Sequence, residues 1–307
     1  MNAHATPLVD EGPLRALSVA ASVGRLHIVA IASLGTLTFG WLFTGHYLWG
    51  LAAVCALDWF VVNLLNRVVD LPEDRINRIT GVGFVERHRR AVLGVGFGTL
   101  AASLVVTQLA IPQITGLRLA YQALGLCYNW PLLPGRRRLK QLYLAKNLAS
   151  AAGFVLTVFL YPLALVTDGS LPLVADIDLR GVLLAALFFV PFELSYEVLY
   201  DLRDAEGDRA AGVQSFAVVH GERITTGIVD GLIAVSLLPL IIGYGLGLVP
   251  WRLTIMGAAP LLQFVLYKRW LRRGITARDC IHLTWLGAGL LAGYHLWILL
   301  GLPGAGA

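Results

Sequence analysis

The chain has 307 residues, 57% of them hydrophobic and only 14% charged, with a mean hydropathy of +0.71. Soluble globular proteins carry about 25% charged residues, so this composition points to the membrane and leaves almost nothing for a separate soluble domain. In that setting a net charge of +5 suits anionic headgroups or a phosphorylated substrate better than nucleic acid.

Residues 1–24 form an N-terminal segment expected on the cytoplasmic side. It has no basic start followed by an apolar core and a small-residue cleavage site, so it does not read as a signal peptide. Nine apolar runs follow, at 25–45, 47–67, 91–111, 113–131, 142–166, 180–202, 223–247, 250–271 and 281–301, each a candidate transmembrane helix. The fourth is short and partly polar, and the second and sixth end in acids. "GVGFG" at 94–98 lies inside the third run and reads as helix packing, not as a nucleotide-binding loop. Cys55, Cys127 and Cys280 are scattered and read as small buried hydrophobes. Residues 302–307 are a C-terminal tail. With nine spans, the N-terminus and the loops after the second, fourth, sixth and eighth runs share one side. That side holds nearly all Lys and Arg, and the other keeps only Arg118, Arg180 and Arg252. The asymmetry marks the basic side as cytoplasmic.

Two acidic clusters fall on that side. The first, in "NRVVDLPEDRINR", contains Asn66, Asp70 and Asp74. Residues four apart share a helix face, which gives a stripe about 12 Å long at 1.5 Å per residue. Pro72 would break or kink the helix, so Asn66 and Asp70 are expected on its last turns and Asp74 at its end. The second cluster, in "PFELSYEVLYDLRDAEGDRAAGV", contains Asp201, Asp204 and Asp208 at i, i+3 and i+7, with Gly207 suggesting that the helix stops near Asp208. "DLPEDRINRITGVGF" and "DLRDAEGDRAAGVQSF" echo each other, as two half-units facing one another would. Facing carboxylates near a membrane repel unless filled. Hard oxygen donors on two sides of a cavity suit Mg²⁺, which binds a few carboxylates together with water and substrate phosphates. With Arg and Lys alongside, the pattern reads as a diphosphate site.

These paired motifs resemble those of the UbiA superfamily of intramembrane prenyltransferases, whose N-D-x-x-D-x-x-x-D and D-x-x-x-D motifs correspond here to "NRVVDLPED" and "DLRDAEGD". The resemblance covers the whole chain. It implies an all-α integral membrane protein with nine transmembrane helices around a central cavity, capped on the cytoplasmic side by the motif loops. It also implies Mg²⁺-dependent ionisation of a prenyl diphosphate, in a multi-pass protein of a prokaryotic cell membrane. The prenyl group then passes to an aromatic or other lipophilic acceptor. On this resemblance Asn66, Asp70, Asp74, Asp201, Asp204 and Asp208 would hold the metal, with Asp70, Asp204 and Asp208 central to ionisation. Arg67 departs from the family, where an acid is usual; it could contact phosphate or pair with an acid. In "YNWPLLPGRRRLKQLYLAKN", which "LPGRR" lengthens, Arg138 and Lys140, then Lys146, would bind the diphosphate, with Tyr128 near the reacting carbon.

Other residues are weighed on their placement. Glu197 and Glu193 lie one and two turns before Asp201, and acids so deep in a span are functional candidates. Glu197 is the expected proton acceptor. Asp58, two turns before Asn66, is placed on the same stripe, and Arg25 at the mouth or as an anchor. His282 and His295 read as hydrogen-bonded within the bundle. Trp59, Phe60, Tyr196 and Tyr200 are expected to line the cavity, where ring faces attract a cation. The competing readings are a terpene cyclase with the same ionisation but no acceptor, and a transporter using the acids as an ion path.

Overall fold

Residues 12–301 are described by the computed structural model; residues 1–11 of the N-terminal segment and the tail 302–307 lie outside the described residues, as does the side chain of Arg15. The nine apolar runs all coincide with helix. They are α2 (Leu26–Thr44), α3 (Trp49–Val69), α6 (Arg89–Ala110), α7 (Thr115–Asn129), α8 (Ala145–Phe154) continued by a π-helical stretch into α9 (Tyr161–Thr167), α10 (Leu179–Ala210), α11 (Phe216–Gly245), α12 (Trp251–Thr254) leading to α13 (Ala258–Leu271), and α14 (Ala277–Leu299). Among the described residues, six helical segments are individually long and apolar enough to cross a membrane. The chain is a multi-pass, all-helical integral membrane protein.

Lipid offers helices no hydrophobic drive to associate, so close packing and internal polar contacts must hold the bundle. On α6, Val105, Val106 and Leu109 stay exposed and form a lipid-facing side. The opposite side carries Gly96, where a Cβ would stand 2.6 Å from Leu65 Cδ2. A side chain there would force Leu65 to shift, so Gly96 of "GVGFG" lets α6 pack closely on α3. An aromatic cluster of Phe39, Phe43, Phe159 and Phe189 fills the centre, with Phe39 and Phe159 ring centroids 4.3 Å apart.

A polar knot ties α3, α6, α7 and α9. Arg118 and Asp58 are both fully buried. Arg118 Nη2 lies 2.5 Å from Asp58 Oδ1, and its Nε donates to the same carboxylate. The remaining guanidinium hydrogens go to the Ser103 carbonyl, Ser103 Oγ and Thr107 Oγ1. Asp58 also accepts from Gln122 Nε2 and Tyr161 Oη. The expectation for Asp58 is therefore corrected: it turns away from the acidic stripe and serves as a structural ion pair. Likewise Arg118 is a core residue, not a loop cation. His295 bridges Thr38 Oγ1 at 2.9 Å and Tyr47 Oη at 3.2 Å, as expected of a bundle histidine, while His282 is exposed. Cys55 and Cys280 are buried, Cys127 is half-buried, and all three are free thiols.

The N-terminal segment is more than a tail. Its helix α1 (Pro13–Val23) packs Val19 and Val23 against Phe60, Leu64 and Val68. Phe60 is thus spent on α1 and does not line the cavity, contrary to expectation.

Candidate active site

The helix α3 ends at Val69, and Asp70 is the single non-helical residue (φ −89°, ψ 11°) before the short helix α4 (Leu71–Ile76). Pro72 does not simply terminate a helix: it sits in the first turn of α4, where its missing N–H leaves no bond unmade. Glu73 and Asp74 share that turn, where the helix dipole favours negative charge. Asn66 therefore belongs to α3, Asp70 to the junction and Asp74 to a new helix. In the other half, α10 runs on through Gly207 and Asp208 to Ala210. Gly207 is there for packing: a Cβ would lie 2.5 Å from Asn77 Nδ2. This contact brings α4 against α10, so the two echoing segments do face each other across one mouth.

Each cluster is cross-tied by cations distant in sequence. Lys140 Nζ reaches Asp70 Oδ1 at 2.6 Å and also pairs with Glu73. Arg138 spans the same two acids at 3.1 and 2.6 Å. Lys146 Nζ spans Asp201 and Asp208 at 2.8 and 2.6 Å. Arg67 donates to Asp74 Oδ2 at 2.8 Å and to the Ser22 carbonyl at 2.7 Å, so of its two expected roles it adopts the pairing with an acid. Arg203 pairs with Asp204 beside it and lies over the Tyr200 ring at 4.4 Å. The α7–α8 connection is built to present these cations. "LPGRR" closes on itself through a Leu133–Arg137 bridge, with Gly135 and Arg136 at positive φ. A short 3₁₀ turn, Leu139–Gln141, then buries Lys140. Lys146 lies in the first turn of α8.

Below the mouth lies a cavity of about 450 Å³. Ile28, Ile31, Trp59 and Phe154 give it apolar walls, and Tyr121, Tyr128, Tyr196 and Tyr200 also line it. The rings of Trp59 and Phe154 pack at a tilt with centroids 4.2 Å apart, and Trp59 is fixed by Nε1 donating to Thr157 Oγ1 at 3.0 Å. Glu193 and Glu197 both reach the cavity. Glu197 accepts from Ser150 Oγ at 2.8 Å. Of the expected site residues, Arg138 alone acts from behind the wall, reaching the cavity only through Asp70 and Glu73.

Sequence reasoning overlooked Glu73, Asn147, Ser150, Arg78 and the part played by Arg203. Glu73, three residues after Asp70, was open to the same spacing argument. Asn147, which donates to Asp201 Oδ2 at 3.0 Å, carried no local signal.

Among the described residues, no three His, Cys, Asp or Glu side chains converge as a ready-made metal centre. The donors nevertheless fit a hard cation. Asn66 Oδ1 is buried with no hydrogen-bond partner, and so is Asp201 Oδ1, which Lys146 approaches without hydrogen-bonding geometry. All six candidate ligands offer oxygen, the donor Mg²⁺ prefers.

The sequence profile of the UbiA prenyltransferase family matches residues 26–287, nearly the whole membrane domain with both acidic segments. The chain belongs to the UbiA prenyltransferase family. A UbiA homolog from Archaeoglobus fulgidus bound to GPP and Mg²⁺ superposes with a TM-score of 0.65 at 15% identity, covering 91% of this chain and 98% of that one. The same homolog bound to DMAPP and Mg²⁺ gives 0.66 at 16% identity, over 90% and 97%. A digeranylgeranylglyceryl phosphate synthase gives 0.55 at 16% identity, over 91% and 95%. No curated protein sequence matches the chain. At these identities the UbiA neighbours establish the shared fold.

Proposed function

We propose that this UbiA family protein transfers a prenyl group from a prenyl diphosphate to an aromatic or other lipophilic acceptor, releasing diphosphate on the cytoplasmic side. One observation carries the reading: two acidic segments from opposite halves of the chain meet, threaded with Lys and Arg, over a cavity with apolar aromatic walls. The A. fulgidus homolog with this fold binds GPP or DMAPP together with Mg²⁺, which supports it.

Asn66, Asp70, Asp74, Asp201, Asp204 and Asp208 would hold Mg²⁺, which when bound supplies positive charge against the departing diphosphate. Lys140 and Lys146 neutralise carboxylates and line the cavity, where their N–H groups would meet the diphosphate oxygens, while Arg138 holds Asp70 and Glu73 from behind the wall. Arg67 keeps Asp74 compensated in the same mouth. The walls exclude water from the allylic cation, and the faces of Trp59 and Tyr121 stabilise it. Tyr128 borders the reacting end of the prenyl group. Glu197, positioned by Ser150, accepts the proton that the acceptor loses.

The test is Mg²⁺-dependent release of diphosphate from geranyl diphosphate by purified protein. Asp70→Ala and Asp208→Ala should each abolish it while the protein stays folded, and retained turnover in either sinks the reading. A cyclic hydrocarbon formed in the absence of acceptor would replace transfer by cyclisation.

A further inference from the structure

The connection from α7 to α8, residues 130–144, carries Arg136, Arg137, Arg138 and Lys140 and no acid. Arg138 and Lys140 turn inward and take Asp70 and Glu73 between them. Arg136 and Arg137 turn outward. Both are exposed, and among the described residues neither pairs with a carboxylate. Arg136 is also held at φ +55°, in the left-handed region that glycine favours, directly after Gly135 at φ +75°. The turn is closed by the Leu133 N–H donating to the Arg137 carbonyl at 3.1 Å, so both arginines project from a defined hairpin. Backbone strain of this kind collects at ligand-binding positions.

The depth of this hairpin follows from α6 and α7. The helix α7 is about 22 Å long, and about 28 Å with the 3₁₀ turn Pro112–Ile114 ahead of it, short of the ~30 Å hydrocarbon core of a bilayer. Trp130, which ends α7, lies against Phe97 of α6 with ring centroids 6.3 Å apart. From Phe97, α6 continues to its start at Arg89, a rise of about 12 Å toward the headgroups. Trp130 therefore sits at the edge of the hydrocarbon, where tryptophan is favoured, and the hairpin climbs from there through the interface. Pro131, Leu132 and Pro134 are exposed on it, Leu132 by 59%. Apolar residues at that depth meet acyl chains, and arginines just above them meet phosphate.

We propose that the hairpin 131–137 binds an anionic phospholipid of the surrounding leaflet, with Leu132 and the two prolines against its acyl chains and Arg136 and Arg137 on its phosphate. The site lies outside the prenyl-transfer reading, because no residue of the hairpin lines the cavity. A zwitterionic lipid brings no net charge to match two unpaired arginines, and a soluble polyanion would have to reach them through the headgroups. The site is coupled to the mouth through the backbone. Arg138 follows Arg137 directly, and its N–H donates to Gln141 Oε1 at 2.9 Å, which ties it to the 3₁₀ turn that buries Lys140. A lipid that fixes Arg137 fixes the chain from which Arg138 and Lys140 reach Asp70 and Glu73. Bound lipid thereby steadies the first acidic segment, and Mg²⁺-diphosphate affinity follows the lipid composition of the membrane.

Native mass spectrometry of the protein in nonionic detergent, with equal amounts of phosphatidylglycerol and phosphatidylcholine added, counts the retained lipid without any need for turnover. Preferential retention of phosphatidylglycerol is expected, with affinity about tenfold or more lower in Arg136→Gln/Arg137→Gln. Calorimetry in nanodiscs then compares Mg²⁺-diphosphate binding in phosphatidylcholine and in a phosphatidylcholine–phosphatidylglycerol mixture. Phosphatidylglycerol should tighten that binding by about threefold or more in the parent protein and leave the double variant unchanged. Three results overturn the proposal: phosphatidylglycerol is retained no better than phosphatidylcholine; the double variant retains it equally well; or diphosphate affinity responds to lipid alike in both proteins. Displacement of the lipid by inorganic phosphate would mark a soluble-anion site and also overturn it. Failure of the prenyl-transfer reading shows separately, as absent diphosphate release from geranyl diphosphate in either lipid.

Discussion

Asp58→Ala isolates the structural acid from those proposed to hold the metal. The substitution leaves the Arg118 guanidinium fully buried with no counter-charge, and strips Gln122 and Tyr161 of their acceptor. Breaking a buried ion pair from one side costs about 3–5 kcal/mol. The hydrogen bonds from Gln122 and Tyr161 add about 0.6 kcal/mol each, typical inside a membrane bundle. At roughly 2–4 °C per kcal/mol for chains of 150–250 residues, and at the low end for a longer one, the midpoint should fall by about 8–12 °C. Thermal unfolding in detergent, followed by tryptophan fluorescence, measures it. The double variant Asp58→Ala/Arg118→Met should recover most of the loss, because no unpaired charge remains. A midpoint within about 2 °C of the parent for Asp58→Ala would refute the reasoning, since the pair would then carry no net stability.

Gly207→Ala drives a methyl group into the Asn77 side-chain amide, which must shift where α4 meets α10, and should lower turnover by about severalfold; Asn77→Ala in the same chain should restore it. Lys146→Met leaves Asp201 and Asp208 facing each other without their shared cation. Calorimetry should show Mg²⁺-diphosphate binding weakened by about tenfold or more. Glu197→Gln should lower kcat for acceptor prenylation by about 10²–10⁴ with little change in KM for the prenyl diphosphate; Ser150→Ala, which only releases Glu197 from its hydrogen bond, should have a smaller effect.

The acidic clusters were legible because charge is rare in this chain, so carboxylates at helical spacing stand out against apolar runs. The spacing argument failed at Asp58 for a geometric reason. Twelve residues at about 100° each leave Asp58 about 120° around the helix from Asp70. It therefore faces α7, where Arg118 waits, and not the cavity. Pro72 misled in one respect only, since α3 does stop before it, at Val69. In sequence a proline after a helix looks like an end, yet it also opens helices, and here it begins α4. Phe60 was assigned to the cavity beside Trp59, but neighbouring residues on a helix diverge by about 100°, and the arrival of α1 claimed Phe60.

Composition and the run lengths were enough to place this chain in a membrane, because apolar stretches of that length are stable only there or in an unusually large core. The motifs were enough to nominate residues that the fold brings to one mouth, and to name the family they resemble. Partner choice was beyond them. Which cation compensates which carboxylate depends on helix rotation and on how closely the backbones approach, and neither is a local property of the chain. Lys146 meets Asp208 across 62 positions, and Lys140 meets Asp70 across 70. Gly207 leaves room for the Asn77 side chain where the two halves meet. The folded bundle thereby separates acids that look alike in the sequence: Asp58 holds the helices together, and Asp70 stands at the mouth, where a diphosphate would bind.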